Sequence, residues 1–371
     1  MINFKNISYL TIPEGQVSSI SINGAKVWKR AHVYGVHWDG GASSSMTRTD
    51  DAELFSEKPI LNLGLGTGSS PFDSCYPWSD ITVETVNGNE LVKIPKFWFN
   101  WEKSGAAMTL RIADKPLAGY YVSPMHADRE DGKGERDYAF IGRYKGNYAC
   151  KSEKSYAVKI STNIVDFRNT IKSLGDGFYQ QDYAAFWTLR MLFLVEWATW
   201  DGQSILTNTT DYSDTTAYRT GKVANISYHT GISSDGYNTQ YRYVEDPWEN
   251  VLEFIDGVYF SGTRMYCINN PENFATGSNG TLIGTRSTGT GYIKSWLIPA
   301  NEQYKWALIP GSTNSSEAYT KDGYYYTSTG TVAYTGGTRS SWALHGPFYL
   351  YTDFTANSTS SGITCRLMYL P

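Results

Sequence analysis

The chain has 371 residues, with 32 Lys and Arg against 36 Asp and Glu, a formal net charge of −4, 18% charged residues and 15% aromatics. That length buries a core easily, and an aromatic-rich chain of low net charge is not a disordered one. It also lacks the basic excess with which a nucleic-acid binder displaces counterions from phosphate. No run approaches the 18 apolar residues that would span a bilayer, and Met1-Ile-Asn-Phe-Lys-Asn-Ile7 lacks the charged head and apolar stretch of a signal peptide. A soluble protein without membrane insertion is the expectation.

Residues 1–30 read as a small β appendage. Ile7-Ser-Tyr-Leu-Thr-Ile12 and Val17-Ser-Ser-Ile-Ser-Ile22 alternate apolar and polar residues around Pro13-Glu-Gly15, and Asn23-Gly24 leads into Ala25-Lys-Val-Trp28. Asn-Gly between alternating runs is a strong hairpin signal. Three short strands are too few to stand alone, so the unit should pack on the body or on another chain. Residues 31–371 form the main domain. Val33–Trp38, Ile81–Val86, Leu91–Ile94 and Tyr120–Val122 are strand-like, Asn87-Gly88 marks a second hairpin, and the charged run Asp128–Asp137 reads as a solvated loop.

Helix is expected in the middle of the chain. Ile164, Phe167, Ile171 and Leu174 have helical spacing, with Asn163 as cap and Gly175 past the end. A second helix should start at Asp182 and run to about Trp197, apolar on most sides and therefore buried. A third is expected from Asp246-Pro-Trp-Glu249, whose Asp, Pro and Glu fit a capping box. It would place Trp248, Val251, Leu252 and Ile255 on one face.

From about residue 258 the helical signal ends. Residues 291–371 hold nine charged residues but fifteen aromatics, and 26 of the 52 residues from Gly311 to Gly362 are Gly, Ser or Thr. Tyrosines 319, 324, 325, 326, 334, 349 and 351 stand in this polar ground. Tyr gives wide, rigid contact area with few rotatable bonds, while Ser and Gly give adaptable hydrogen bonding, as in antibody combining loops.

Chemistry-bearing motifs are scarce. Cys75, Cys150, Cys267 and Cys365 are scattered without a Cys-x-x-Cys, which reads as buried free thiols rather than a zinc or redox site. There is no His-Glu-x-x-His, Gly-x-Ser-x-Gly or Walker loop. Gly64, Gly66 and Gly68 precede Ser69-Ser70-Pro71 rather than an amphipathic helix, so no dinucleotide site is expected. Glu245, Asp246, Glu249, Glu253 and Asp256 form the densest acidic group, and a glycosidase pair there is the enzymatic alternative. The capping box accounts for two of them. No cofactor and no essential metal are expected.

Gly336-Gly-Thr-Arg-Ser-Ser-Trp-Ala-Leu-His-Gly-Pro-Phe-Tyr-Leu350, followed by Gly362-Ile-Thr-Cys-Arg-Leu-Met-Tyr369, resembles the C-terminal segment of the variable proteins of diversity-generating retroelements. Glu245-Asp-Pro-Trp-Glu-Asn-Val-Leu-Glu-Phe254 is similar to that family's W-G-N-V-W-E-W segment, with Glu249 for Gly and Leu252 and Phe254 for the two Trp. Ile20–Trp28, Tyr34–Gly40 and Thr47–Ala52 resemble segments of phage and prophage tail proteins. The resemblance implies an α+β, C-type-lectin-like domain, related to the formylglycine-generating enzymes, with irregular strands and two main helices. Catalysis of that enzyme's kind is not expected, since Cys267 and Cys365 lie in no catalytic motif.

What the resemblance implies for function is a receptor-binding protein of a phage tail, or a bacterial surface adhesin, with 291–371 as a hypervariable ligand-binding region. Its ligand would be a bacterial surface protein or a glycan, its place the virion or the cell surface, and the N-terminal appendage would meet tail or baseplate proteins. Exposed positions carried over are Arg339, Ser340, Ser341, Trp342, Leu344, His345, Tyr351, Asp353 and Phe354, with Tyr319, Tyr324, Tyr326 and Tyr334 upstream. The competing reading is a structural tail or fibre part, in which the same aromatic face is buried in a homo-oligomer.

Overall fold

The computed structural model describes residues 19–22, 25–63, 67–206, 219–232, 238–248, 250–337 and 345–371, with side chains from residue 30 onward. The expected strand Ile7–Ile12, the Asn23-Gly24 turn, Gly64, Gly66 and Glu249 lie outside the described residues. Within them, Ser19–Ile22 pairs with Ala25–Lys29 as a two-stranded sheet of its own.

Several sheets make up the body. The first is a five-stranded sheet in the order Thr47–Asp50, Val33–Trp38, Ala107–Ala113, Trp98–Ser104, Tyr121–Val122. The second is a seven-stranded sheet in the order Ile309–Asn314, Gly291–Leu297, Gly323–Tyr326, Leu350–Thr352, Ala333–Thr335, Leu252–Ile255, Ile363–Thr364. Another five-stranded sheet runs Phe178–Gln180, Leu367–Tyr369, Tyr138–Gly142, Asn89–Pro95, Thr82–Val86, and two three-stranded sheets complete the set. The Asn87-Gly88 turn joins the last two strands in register, with Val86 opposite Asn89. The hairpin Trp98–Ser104/Ala107–Ala113 carries no Asn-Gly signal; its turn is made by Gly105 at φ +60°.

Both expected helices form. Helix α1, Ile164–Lys172, is capped by Asn163, whose side chain accepts from Asp166 N, and it buries Ile164, Phe167 and Ile171. Helix α2, Tyr183–Trp197, is capped by Asp182 accepting from Ala185 N, and all fifteen of its residues are buried. Its position explains this. One side contacts Val33–Trp38 and Ala107–Ala113, while Trp187 on another meets Trp296 and Phe348, with ring centroids 5.4 and 6.1 Å apart. Its three most polar members find partners: Thr188 Oγ1 donates to Ala184 O, Arg190 donates through Nε to Pro347 O and through Nη2 to Pro247 O, and Glu196 accepts from Arg242 and Tyr241.

Three expectations are corrected. The α+β, C-type-lectin-like architecture is overturned: strand makes up 34% and helix 13%, spread over several sheets with two α-helices among the described residues. The third helix does not form. Asp246 takes φ +44°, outside the extended geometry of an N-cap, and its carboxylate accepts from Asn238, Asn250 and Thr239 N instead. Leu252–Ile255 is a strand, paired to Ala333–Thr335 on one side and Ile363–Thr364 on the other. Finally, the charged run 128–137 is not wholly solvated. Arg129 is buried against Asp182 at 2.5 Å, and Arg136 is buried against Asp131 and Pro371 O.

The deepest charges tie these sheets together. Glu253, on the strand Leu252–Ile255, is buried with Lys145 Nζ at 2.5 Å and Arg366 at 2.8 Å. Burial alone would raise the Glu253 carboxyl, but Arg366 and Lys145 outweigh it and hold it down at about 2. Such a carboxylate stabilises the fold above its ordinary 4.5 and loses that contribution as pH falls through about 2. The melting temperature should therefore fall as the pH drops over that interval, and Glu253→Gln should remove this share of the acid sensitivity. The same substitution leaves two buried cations uncompensated, so urea unfolding at neutral pH should show a loss of about 3–5 kcal/mol. A loss under about 1 kcal/mol would mean the network is not a stabilising unit.

Candidate functional site

Three strands of the seven-stranded sheet bring tyrosines into a row. Gly323–Tyr326 runs parallel to Leu350–Thr352 with Tyr325 opposite Tyr351, and Ala333–Thr335 runs antiparallel on the other side with Tyr334 opposite Tyr351. Directly opposed residues share a face of the sheet, so Tyr325, Tyr351 and Tyr334 form a ladder across three strands. Ring centroids lie 5.0 Å apart for Tyr325–Tyr351 and 5.7 Å for Tyr334–Tyr351. Tyr349 stacks on Tyr351 at 4.3 Å, His345 meets Tyr349 edge-on at 4.3 Å, and Phe354 leans on Tyr334 at 5.1 Å.

The ladder has a buried base and a partly open top. Tyr334, Tyr349 and His345 are buried, whereas Tyr325, Tyr351, Asp353 and Phe354 are half-buried. Tyr334 donates its hydroxyl to Asp353 Oδ1 at 2.5 Å, Thr335 Oγ1 donates to Tyr349 O, and Thr352 Oγ1 donates to Tyr325 O. Burial first, and then Asp353, pushes the Tyr334 phenol well above its ordinary range. Burial, with Tyr351 beside it, does the same to Tyr349. These hydroxyls stay protonated and serve as donors at any physiological pH.

The Gly346-Pro347-Phe348 turn that feeds the ladder is clamped from below. Phe348 N donates to Asp322 Oδ2 at 3.1 Å, Arg190 Nε donates to Pro347 O at 2.7 Å, and the Phe348 ring packs on Trp200 at 4.7 Å. A Cβ on Gly346 would lie 2.4 Å from Asp322 Oδ1, so only glycine fits that close approach. Gly337 abuts His345, since a Cβ there would lie 2.4 Å from His345 Cβ. The two flanks of residues 338–344 thus meet beside Tyr349 and Tyr351.

The structure divides the sequence-derived candidates. Tyr334, His345, Tyr351, Asp353 and Phe354 come together in the ladder. Tyr324 and Tyr326 do not: Tyr324 is buried with its hydroxyl donating to Ser287 O, and Tyr326 lies by Arg286, 4.8 Å from the ring centroid. Tyr319 is half-buried beside Lys294, away from the ladder rings. The expected exposure is corrected at Tyr324, Tyr334 and His345, whose rings pack in the interior. Arg339, Ser340, Ser341, Trp342 and Leu344 lie outside the described residues. Tyr325 and Tyr349 were missed as site residues. Strand alternation in Tyr324-Tyr325-Tyr326 was the available signal, and it puts Tyr325 on the face opposite its neighbours.

The acidic group weighed as a glycosidase site is interior. Glu245, Asp246, Glu253 and Asp256 are each buried, with Asp256 held by a bidentate Arg168 at 2.6 and 2.8 Å. Among the described residues no group of three or more His, Cys, Asp or Glu is placed to hold a metal ion, and no helix is long and apolar enough to cross a membrane. Neither protein-family models nor curated proteins match the chain.

The division between base and top has measurable consequences. Tyr349→Ala should cost about 3–5 kcal/mol in urea unfolding, because it empties a buried aromatic site. Tyr325→Ala should cost no more than about 1 kcal/mol. Equal losses at the two positions would contradict the assignment of one to framework and the other to surface.

Proposed function

We propose that the chain is a non-catalytic ligand-binding protein of the phage-attachment or bacterial-adhesin kind, which contacts its ligand through the tyrosine ladder. The observation that carries this is the half-buried Tyr325–Tyr351 pair standing on a buried base of Tyr334, Tyr349 and His345. Rings fixed from beneath offer apolar area and hydroxyl donors at little entropic cost on binding. The meeting of Gly337 and His345 beside the ladder supports a second element of the reading. Residues 338–344, which include Arg339, Ser340, Ser341, Trp342 and Leu344, connect these two positions in the sequence. The order of the framing motifs supports kinship with the retroelement-diversified variable proteins, in which such positions change. A bacterial surface protein or a glycan both suit an aromatic face with hydroxyl donors.

Fluorescently labelled protein, titrated onto a panel of bacterial isolates, tests the reading. The Tyr325→Ala/Tyr351→Ala double variant should bind the recognised isolate at least about tenfold more weakly, with its melting temperature within about 3 °C of the parent. Undiminished binding by a folded variant would sink the proposal. Light scattering on the same pair separates the subunit-interface alternative: a change in oligomeric state assigns the ladder to an interface. Sequencing the gene across one population checks diversification, which requires substitutions clustered between about residues 310 and 360 and arising at adenines.

A further inference from the structure

Cys150 and Cys365 are far apart in sequence and meet in space. Both are fully buried, and both belong to the apolar cluster that also contains Tyr334, Tyr349, Phe254 and Leu367, directly behind the ladder. Gly146 lies between them. A Cβ on Gly146 would sit 2.6 Å from Cys365 Sγ and 3.2 Å from Cys150 Cα, so one point beside Gly146 is crowded by both cysteines. The approach is fixed by the chain: Gly146 N donates to Cys365 O at 2.8 Å, and Cys150 N donates to Asn147 O at 2.7 Å, closing a tight turn over Cys365. Cys150 takes φ +58° in that turn. The other two cysteines are differently placed, Cys75 donating to Pro71 O and Cys267 buried beside Asp182.

We propose that Cys150 and Cys365 are a disulfide site, reduced where the chain is made and oxidised once it reaches a disulfide-permissive medium, and that the bond locks the layer behind the tyrosine ladder. Close approach of two side chains from rigid segments is the geometric requirement for such a bond, and the compartment sets whether it persists. With a low-molecular-weight disulfide as oxidant, reached when the 147–150 turn opens locally, the Cys150 thiolate attacks one of its sulfurs and expels one thiolate. The Cys365 thiol then loses its proton, and its sulfur attacks Cys150 Sγ and expels the second. Two cysteine thiols are oxidised, the small disulfide is reduced to two thiols, and the two protons end on those. The order follows from the local chemistry. A hydrogen bond from Cys365, with Lys159 nearby, holds the Cys150 thiol below its ordinary range against the effect of burial, whereas burial holds Cys365 above its own.

The inference stands apart from ligand binding and is tested without a ligand. The full chain, purified reduced, is incubated overnight with oxidised glutathione, then denatured for thiol titration and non-reducing peptide mapping. Titratable thiols should fall from four to two, with the peptides carrying Cys150 and Cys365 joined. The melting temperature should rise by roughly 5 °C over the reduced protein, and a Cys150→Ser variant should show no such rise. Four remaining thiols, or a bridge through Cys75 or Cys267, would overturn the proposal. A 150–365 bridge that leaves the melting temperature unchanged or lower would refute the lock. The thiol count on the parent chain decides the matter even where the serine variant fails to fold.

Discussion

A single guanidinium gathers the C-terminal half of the molecule. Arg366 donates to Glu253, to the carbonyls of Gly142 and Arg143, and to those of Glu245 and Asp246. Those contacts join the closing segment of the chain to two sheets and to the 245–246 turn, while Lys145 completes the charge on Glu253. A planar fork with five donors can satisfy that many acceptors at once, and lysine cannot. Buried ions of this kind add little net stability over an apolar core, but they are costly to leave half-made. In the observed register Glu253 opposes Thr364, two residues before Arg366, and the guanidinium reaches its carbonyls from there.

The tyrosine ladder depends on that register. Leu252–Ile255 pairs with Ala333–Thr335, which in turn sets Tyr334 against Tyr351. A slip of one residue would turn every ring to the other face of the sheet. The rigid charge network at one edge and the stacked rings toward the middle are therefore parts of one arrangement, with Phe254 touching both Tyr334 and Phe354.

Much of the helical part was legible in the sequence because caps and periodicity agreed. Asn163 and Asp182 mark helix starts that occur where the spacing placed them, and the even distribution of apolar residues over 183–197 correctly implied burial all round. The same logic failed at Asp246, where the side chains of Asn238 and Asn250 compete for the carboxylate a helix would have used. Those partners lie only four and eight residues away, but the capping-box pattern does not register such competition. Buried Arg129 was hidden because its counterpart Asp182 lies 53 residues away, whereas Arg136 pairs with Asp131 in its own run and is buried by its further contact with Pro371 O. For the site, composition located the tyrosines, but in a run of three consecutive tyrosines it could not tell which phase faces outward; the pairing to Tyr351 decides it.

Helix α2 has no wet side. In a half-assembled chain it would present apolar surface in every direction, which an amphipathic helix does not, so it has no stable existence ahead of the sheets that enclose it. Its enclosure needs Val33–Trp38 and Ala107–Ala113 from early in the chain as well as Phe348 from near the end. Burial of this one helix therefore joins segments more than three hundred residues apart in the sequence. Without Phe348, the Trp187 face of the helix loses one of the aromatic rings that cover it.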